Sequence, residues 1–199
     1  MIINNSCQNK IKYDNQYFFK DDILSVTYKG SFMFWNPLNR PIILCINKVA
    51  SFNDGEVYLL RLNQIEVTEP LDKIPEDRLQ LGHFYVTKDK IYRLCYTDNS
   101  IYFVNHYKKG ITENNFIKES QIVCQEDELK DSLGENAKGW HEFIEIDGDK
   151  RRFVSYNNIV NTGFYENIVW EKDKGLIYYR SGYGAGKETI EFLSIKYKI

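Results

Sequence analysis

The stretch of this chain that comes nearest to a known chemical motif is 178–187, Tyr-Tyr-Arg-Ser-Gly-Tyr-Gly-Ala-Gly-Lys. Closely spaced glycines before a lysine suggest a phosphate-cradling loop. That loop needs glycine, four residues, then Gly-Lys followed by serine or threonine. Counting back from Gly186, the first glycine would fall on Ser181, and the magnesium-holding hydroxyl would fall on Glu188. Gly182, Gly184 and Gly186 also miss the dinucleotide spacing, and the twelve residues after Lys187 are too few for the rest of a nucleotide-binding α/β domain. Nucleotide chemistry is therefore not expected. Two readings of the loop remain. Its amides and Arg180 form an anion-binding nest, or it is a wide hairpin connection that uses glycine for its permitted φ values. Hairpin context favours the second.

Other chemistries fare no better. His83, His106 and His141 stand alone, without the paired spacing of metal ligands, so no metal is expected. Cys7, Cys45, Cys95 and Cys124 form no C-x-x-C pair. Cys45 and Cys95 sit in apolar runs, where a buried, inert, reduced thiol is expected. Cys124 with His141 is the one pairing to consider for a thiol enzyme, and no G-x-S-x-G marks a hydrolase serine. Asp147-Gly148-Asp149 breaks the calcium-loop pattern at Lys150-Arg151-Arg152 and reads as a hairpin turn. Glu142, Glu145 and Glu166 are candidates for a carboxylate pair that sequence alone does not bring together. No cofactor is expected.

One surface is harder to dismiss. Gly139-Trp140-His141-Glu142 sets a large aromatic among polar groups, and the glycine loop adds a guanidinium and tyrosines. If a ligand or partner site exists, it is expected around Trp140, His141, Tyr179, Arg180 and Tyr183, the aromatic-plus-arginine mix of binding hot spots.

Charge sharpens that expectation. The chain carries only −2 overall, yet residues 119–149 hold ten acidic side chains against Lys130 and Lys138. Such a block repels phosphates, which argues against nucleic acid, and would steer a basic partner. No run is long and apolar enough for a membrane span, and the first residues lack the core of a signal peptide. The chain as it begins reads as cytoplasmic; removal of a leader would make it an exported or cell-envelope protein. The sequence does not fix an oligomeric state.

The elements that would position these groups are mostly strands. Tyrosine and phenylalanine are abundant, and short β-rich runs alternate with Asp/Asn/Ser/Gly turns. The run at 57–67 reads as a strand covered on both sides in its first half, runs at 83–87, 91–96 and 101–105 read as consecutive antiparallel strands, and 120–124 as a short strand. Hairpins follow around Asp147-Gly148 and around 172–175, and the last strand covers 190–195. The acidic 125–133 segment, closed by Gly134, reads as the one short helix. The fold expected is mainly β: an antiparallel meander, sandwich-like or a curved sheet, forming a single domain over 1–199 with a sub-domain boundary near 108–118.

These features suit a non-catalytic protein that binds another protein through aromatic and acidic surface, in character like the immunity proteins that neutralise toxins. A carbohydrate or cell-wall binding module, with Trp140 and tyrosines as stacking platforms, is the alternative. An enzyme with an unrecognised site is a third.

Overall fold

Alternation builds this protein. Along Tyr165–Glu171 every second residue, Glu166, Ile168 and Trp170, is buried, as in a strand with one face on a core. The computed structural model describes residues 14–20, 25–33, 40–64, 80–94, 113–134, 136–159, 163–183 and 188–194. They form strands β1 (Ser25–Met33), β2 (Arg40–Ser51), β3 (Gly55–Gln64), β4 (Gln80–Thr87), β5 (Lys90–Leu94), β6 (Gln121–Gln125), β7 (Trp140–Asp147), β8 (Lys150–Asn157), β9 (Tyr165–Glu171), β10 (Gly175–Tyr183) and β11 (Glu188–Ser194). The one described helix, α1, spans Glu113–Lys118.

The strands share one antiparallel sheet in the order β6-β5-β4-β3-β2-β1-β11-β10-β9-β8-β7. Two meanders, β2–β6 and β7–β10, are joined through β1 and β11, which pair with each other. The sheet then curls until its outermost strands meet. Leu129, just past β6, exchanges backbone hydrogen bonds with Ile144 of β7 at 3.3 and 2.9 Å. Gln121 of β6 donates its amide to Glu142 of β7. The meander is thus an up-and-down, barrel-like curl with one seam, between β6 and β7, that has no continuous ladder.

The inside of the curl is the main core: Leu44, Leu60, Leu62, Phe84, Val123, Ile144, Phe153, Ile168, Trp170 and Leu176 belong to one buried cluster. Residues 14–20 cross one end of it. The Asn15 side-chain amide donates to the Thr87 carbonyl at 2.8 Å, and the Asp173 amide donates to the Gln16 carbonyl at 2.7 Å. Phe18 and Phe19 then pack on Trp170 at ring separations of 5.9 and 6.4 Å. β4 is buried on both faces, because α1 lays Phe116 over Tyr85, Val57 and Leu94 on the outside. This explains its continuous apolar run.

The mainly β reading holds, with one short helix, but the helix is not at 125–133. In a helix the Gln125 carbonyl would accept the Leu129 amide. Here Leu129 bonds Ile144, and the buried Arg151 guanidinium takes the Gln125 and Glu126 carbonyls at 3.1 and 3.0 Å. The segment is spent closing the seam instead. The helix falls at 113–118, inside the span expected to mark a boundary. The 147–150 hairpin forms one residue later than expected: Asp147 pairs with Lys150, and Gly148 leads the turn at φ 56°, as a II′ turn requires. The expected strand at 101–105 lies outside the described residues.

Gly175 opens β10 at φ 80°, and an added Cβ would lie 2.5 Å from the Phe19 ring. Gly175→Ala is expected to destabilise by roughly 1–3 kcal/mol in chemical unfolding. The cost should exceed that of Gly148→Ala, whose Cβ would meet nothing within 4 Å.

Candidate functional site

Cross-strand register sets a row of polar groups on the inner face of the carboxy-terminal meander. Glu142 of β7 pairs with Ser155 of β8, Ser155 with Glu166 of β9, and Glu166 with Ser181 of β10. These residues alternate with Ile144, Phe153, Ile168 and Tyr179 of the core, so all four face inward. The row continues across the seam through Gln121 of β6 to Arg93 of β5, its register partner.

The centre of this belt is a buried ion pair. Arg93 reaches Glu166, and both residues are almost fully buried. Arg93 Nε also donates to the Leu81 carbonyl at 2.7 Å, and the guanidinium lies 5.7 and 5.6 Å from the Phe84 and Tyr179 ring centres. The Tyr179 hydroxyl donates to the other Glu166 oxygen at 2.8 Å. Burial, with the Glu166 carboxylate beside it, holds the Tyr179 hydroxyl well above its ordinary range. Both Glu166 oxygens are therefore engaged by cation and hydroxyl, which suits a structural carboxylate better than a base or nucleophile.

Glu142 differs. Its neighbours are the Gln121 amide, the Ser155 hydroxyl and the carboxylates of Glu166 and Asp131, and it forms no ion pair among the described residues. Burial pushes its carboxyl up. Two residues along the same face, Trp140 stands 51% exposed, with its ring 5.5 Å from that of Phe164, which precedes β9. Ile159 is exposed on the neighbouring turn. Asn158 fixes this rim, since its side chain donates to the Ala137 carbonyl and accepts from the Gly139 amide, both at 2.8 Å.

The residues expected to share a site are divided by the pleat. Trp140 and Tyr179 lie on the inner face, Trp140 at the rim and Tyr179 sealed in the core. His141 and Arg180 lie on the outer face. His141 stacks on Tyr156 at 4.5 Å, and Arg180 lies over Tyr165 at 5.3 Å. The Tyr183 backbone pairs with Glu188, which makes 180–183 strand with a hairpin beyond; residues 184–187 lie outside the described residues.

His141 is 0% exposed and engaged through both ring nitrogens. Nδ1 donates to the Asp131 carboxylate at 2.5 Å and Nε2 donates to the Ala137 carbonyl at 3.0 Å. Two acceptors call for the imidazolium form, and the Asp131 hydrogen bond raises His141 while lowering Asp131. No ring nitrogen remains to activate Cys124, whose thiol is buried in the core and pushed far up by burial. The Cys124–His141 pairing is thus removed. His83 is lowered to about 4 by burial, and neither Cys45 nor Cys124 is in a disulfide. Cys7, Cys95 and His106 lie outside the described residues. Among the described residues no group of three His, Cys, Asp or Glu side chains could hold a metal ion.

The His141–Asp131 pair pins the acidic segment to β7, and its pH dependence follows by sign. A raised histidine stabilises below its ordinary 6.5 and loses that contribution as pH rises through its folded value. A lowered aspartate stabilises above its ordinary 3.8 and loses it as pH falls. The stability difference between the native protein and Asp131→Asn is expected to peak between those values and shrink above neutrality. Thermal melts across pH read it.

Sequence reasoning missed Arg93, Gln121 and Ser155. Arg93 did carry a signal, a charge on the inward parity of the Ile91-Tyr92-Arg93-Leu94 strand. Its partner Glu166, 73 positions away, shows the same inward parity beside Ile168 and Trp170, but nothing local links the two. No protein-family model matches the chain, and no curated protein and no solved structure matches it.

Proposed function

We propose that this is a non-catalytic binding protein whose surface around Trp140 docks a basic partner protein. The observation that carries the reading is exposed Trp140, packed on half-buried Phe164 and beside exposed Ile159, at a rim held by Asn158. Large exposed aromatics on a fixed frame are the usual anchors of protein recognition. Along the seam, toward the opposite end of β7 from Trp140, stand the exposed carboxylates of Glu126, Asp127 and Glu128, in a segment tied down by Arg151, by the Leu129 bridge and by His141–Asp131. An apolar anchor at one end of the seam and a fixed negative field at the other favour a partner that is apolar at one end of its contact and basic at the other. An immunity-like role, in which a tight protein partner is neutralised, fits this character. No described helix is long and apolar enough to cross a membrane.

The test is a panel of labelled peptides that pair one aromatic or aliphatic anchor with lysine and arginine, against acidic counterparts. The basic set should bind, weaken steeply with salt, and lose affinity when Glu126, Asp127 and Glu128 become amides. Equal binding of both sets, or salt-independent binding to polysaccharides in their place, would contradict the reading.

A further inference from the structure

Glu142 is a half-buried carboxylate that faces the Gln121 amide, the Ser155 hydroxyl and the carboxylates of Glu166 and Asp131, and it forms no ion pair among the described residues. The belt it belongs to holds Glu142 and Glu166 against the single guanidinium of Arg93, and that guanidinium is committed to Glu166. One negative charge is left over on the inner face. Beside it the Ser155 hydroxyl, 1% exposed, lies between Glu142 and Glu166 in register and faces the Glu142 carboxylate. A partly buried carboxylate without a counter-ion costs stability. Directly outward stand Trp140, half exposed, and Phe164.

We infer that Glu142, Ser155 and the Trp140–Phe164 rim form a receptor for one organic cation, filled by an arginine or lysine side chain that the partner inserts. The parts match that chemistry. An aromatic face attracts a guanidinium or ammonium, most strongly when the cation is desolvated. The Glu142 carboxylate supplies the charge-assisted acceptor and Ser155 a second acceptor. A neutral polyol would leave the extra charge uncompensated. Burial already raises the Glu142 carboxyl, so the cation should also draw a proton off it. The inference rests on the basic-partner reading for the source of the side chain, and on Glu142 and Ser155 for the chemistry.

The experiment follows the indole N–H resonances of the three tryptophans in ¹⁵N-labelled protein, with the Trp140 signal assigned as the one missing from Trp140→Phe. The titrants are acetyl-arginine amide, acetyl-lysine amide and the neutral isostere acetyl-citrulline amide. The two cations should shift Trp140 saturably, with Kd on the order of 1–10 mM for so small a contact, and the citrulline compound should not. Glu142→Gln should weaken binding at least tenfold, while Glu145→Gln, at an exposed carboxylate of the same strand, should not. Shifts that are absent, equal with citrulline, or unchanged in Glu142→Gln overturn the receptor. If Glu142→Gln fails to fold, the arginine–citrulline contrast in the native protein decides. Basic peptides that still bind through Trp140 when the cation titration fails would leave the surface reading standing and remove only the inserted side chain.

Discussion

Replacing Arg93 with alanine is expected to destabilise the protein by roughly 3–5 kcal/mol, a large part of a domain's total stability. The loss comes from what remains. Glu166, 2% exposed, keeps its charge or must take up a proton, and the Tyr179 hydroxyl beside it loses a shared neighbour. Glu166→Ala should cost a similar amount by stranding the guanidinium. The double replacement Arg93→Met/Glu166→Leu removes both charges and refills the space, so it should cost less than either single change. Denaturant melts of the native protein, Arg93→Met, Glu166→Leu and the double replacement give the coupling. Simple additivity would show that the ion pair does not bind β5 to β9 across the interior.

The second large effect belongs to Trp170. It is fully buried and touches Phe18, Phe19 and Phe84 with ring separations of 5.9, 6.4 and 5.8 Å. It therefore connects the end plug to both halves of the sheet. Trp170→Ala should cost roughly 3–5 kcal/mol by opening a cavity the surroundings fill only in part. Because Phe19 rests against Gly175 as well, limited proteolysis of this variant should cut first within residues 14–20. First cleavage elsewhere would mean that the plug is held by Asn15 and Gln16 alone.

What the sequence disclosed follows from the range of each signal. Strands read well because period-two alternation and Asp/Gly turns are local, as at Tyr165–Glu171. Local charge misled at 125–133: acidic residues and Gly134 form a sound helix signature, yet Arg151 and Ile144, both distant in sequence, take the backbone groups a helix needs. The site was half legible for a related reason. Trp140 and His141, like Tyr179 and Arg180, are chain neighbours in strands, and neighbours in a strand face opposite ways. Trp140 proved to be on the surface and Tyr179 in the core. The inner belt lay beyond reach, because Glu142, Ser155 and Glu166 become one row only through the registers of β7, β8 and β9. Arg93 joins them only when the sheet curls.

Trp140 is proposed to serve recognition and not stability, unlike Trp170. The most direct measurement takes Trp140→Ala through a denaturant melt and a titration with the tightest basic peptide of the panel. Stability within about 0.5 kcal/mol of the native protein, with binding weakened at least tenfold, is the expected result. A well-folded Trp140→Ala protein that binds the peptide as tightly as the native chain would contradict it.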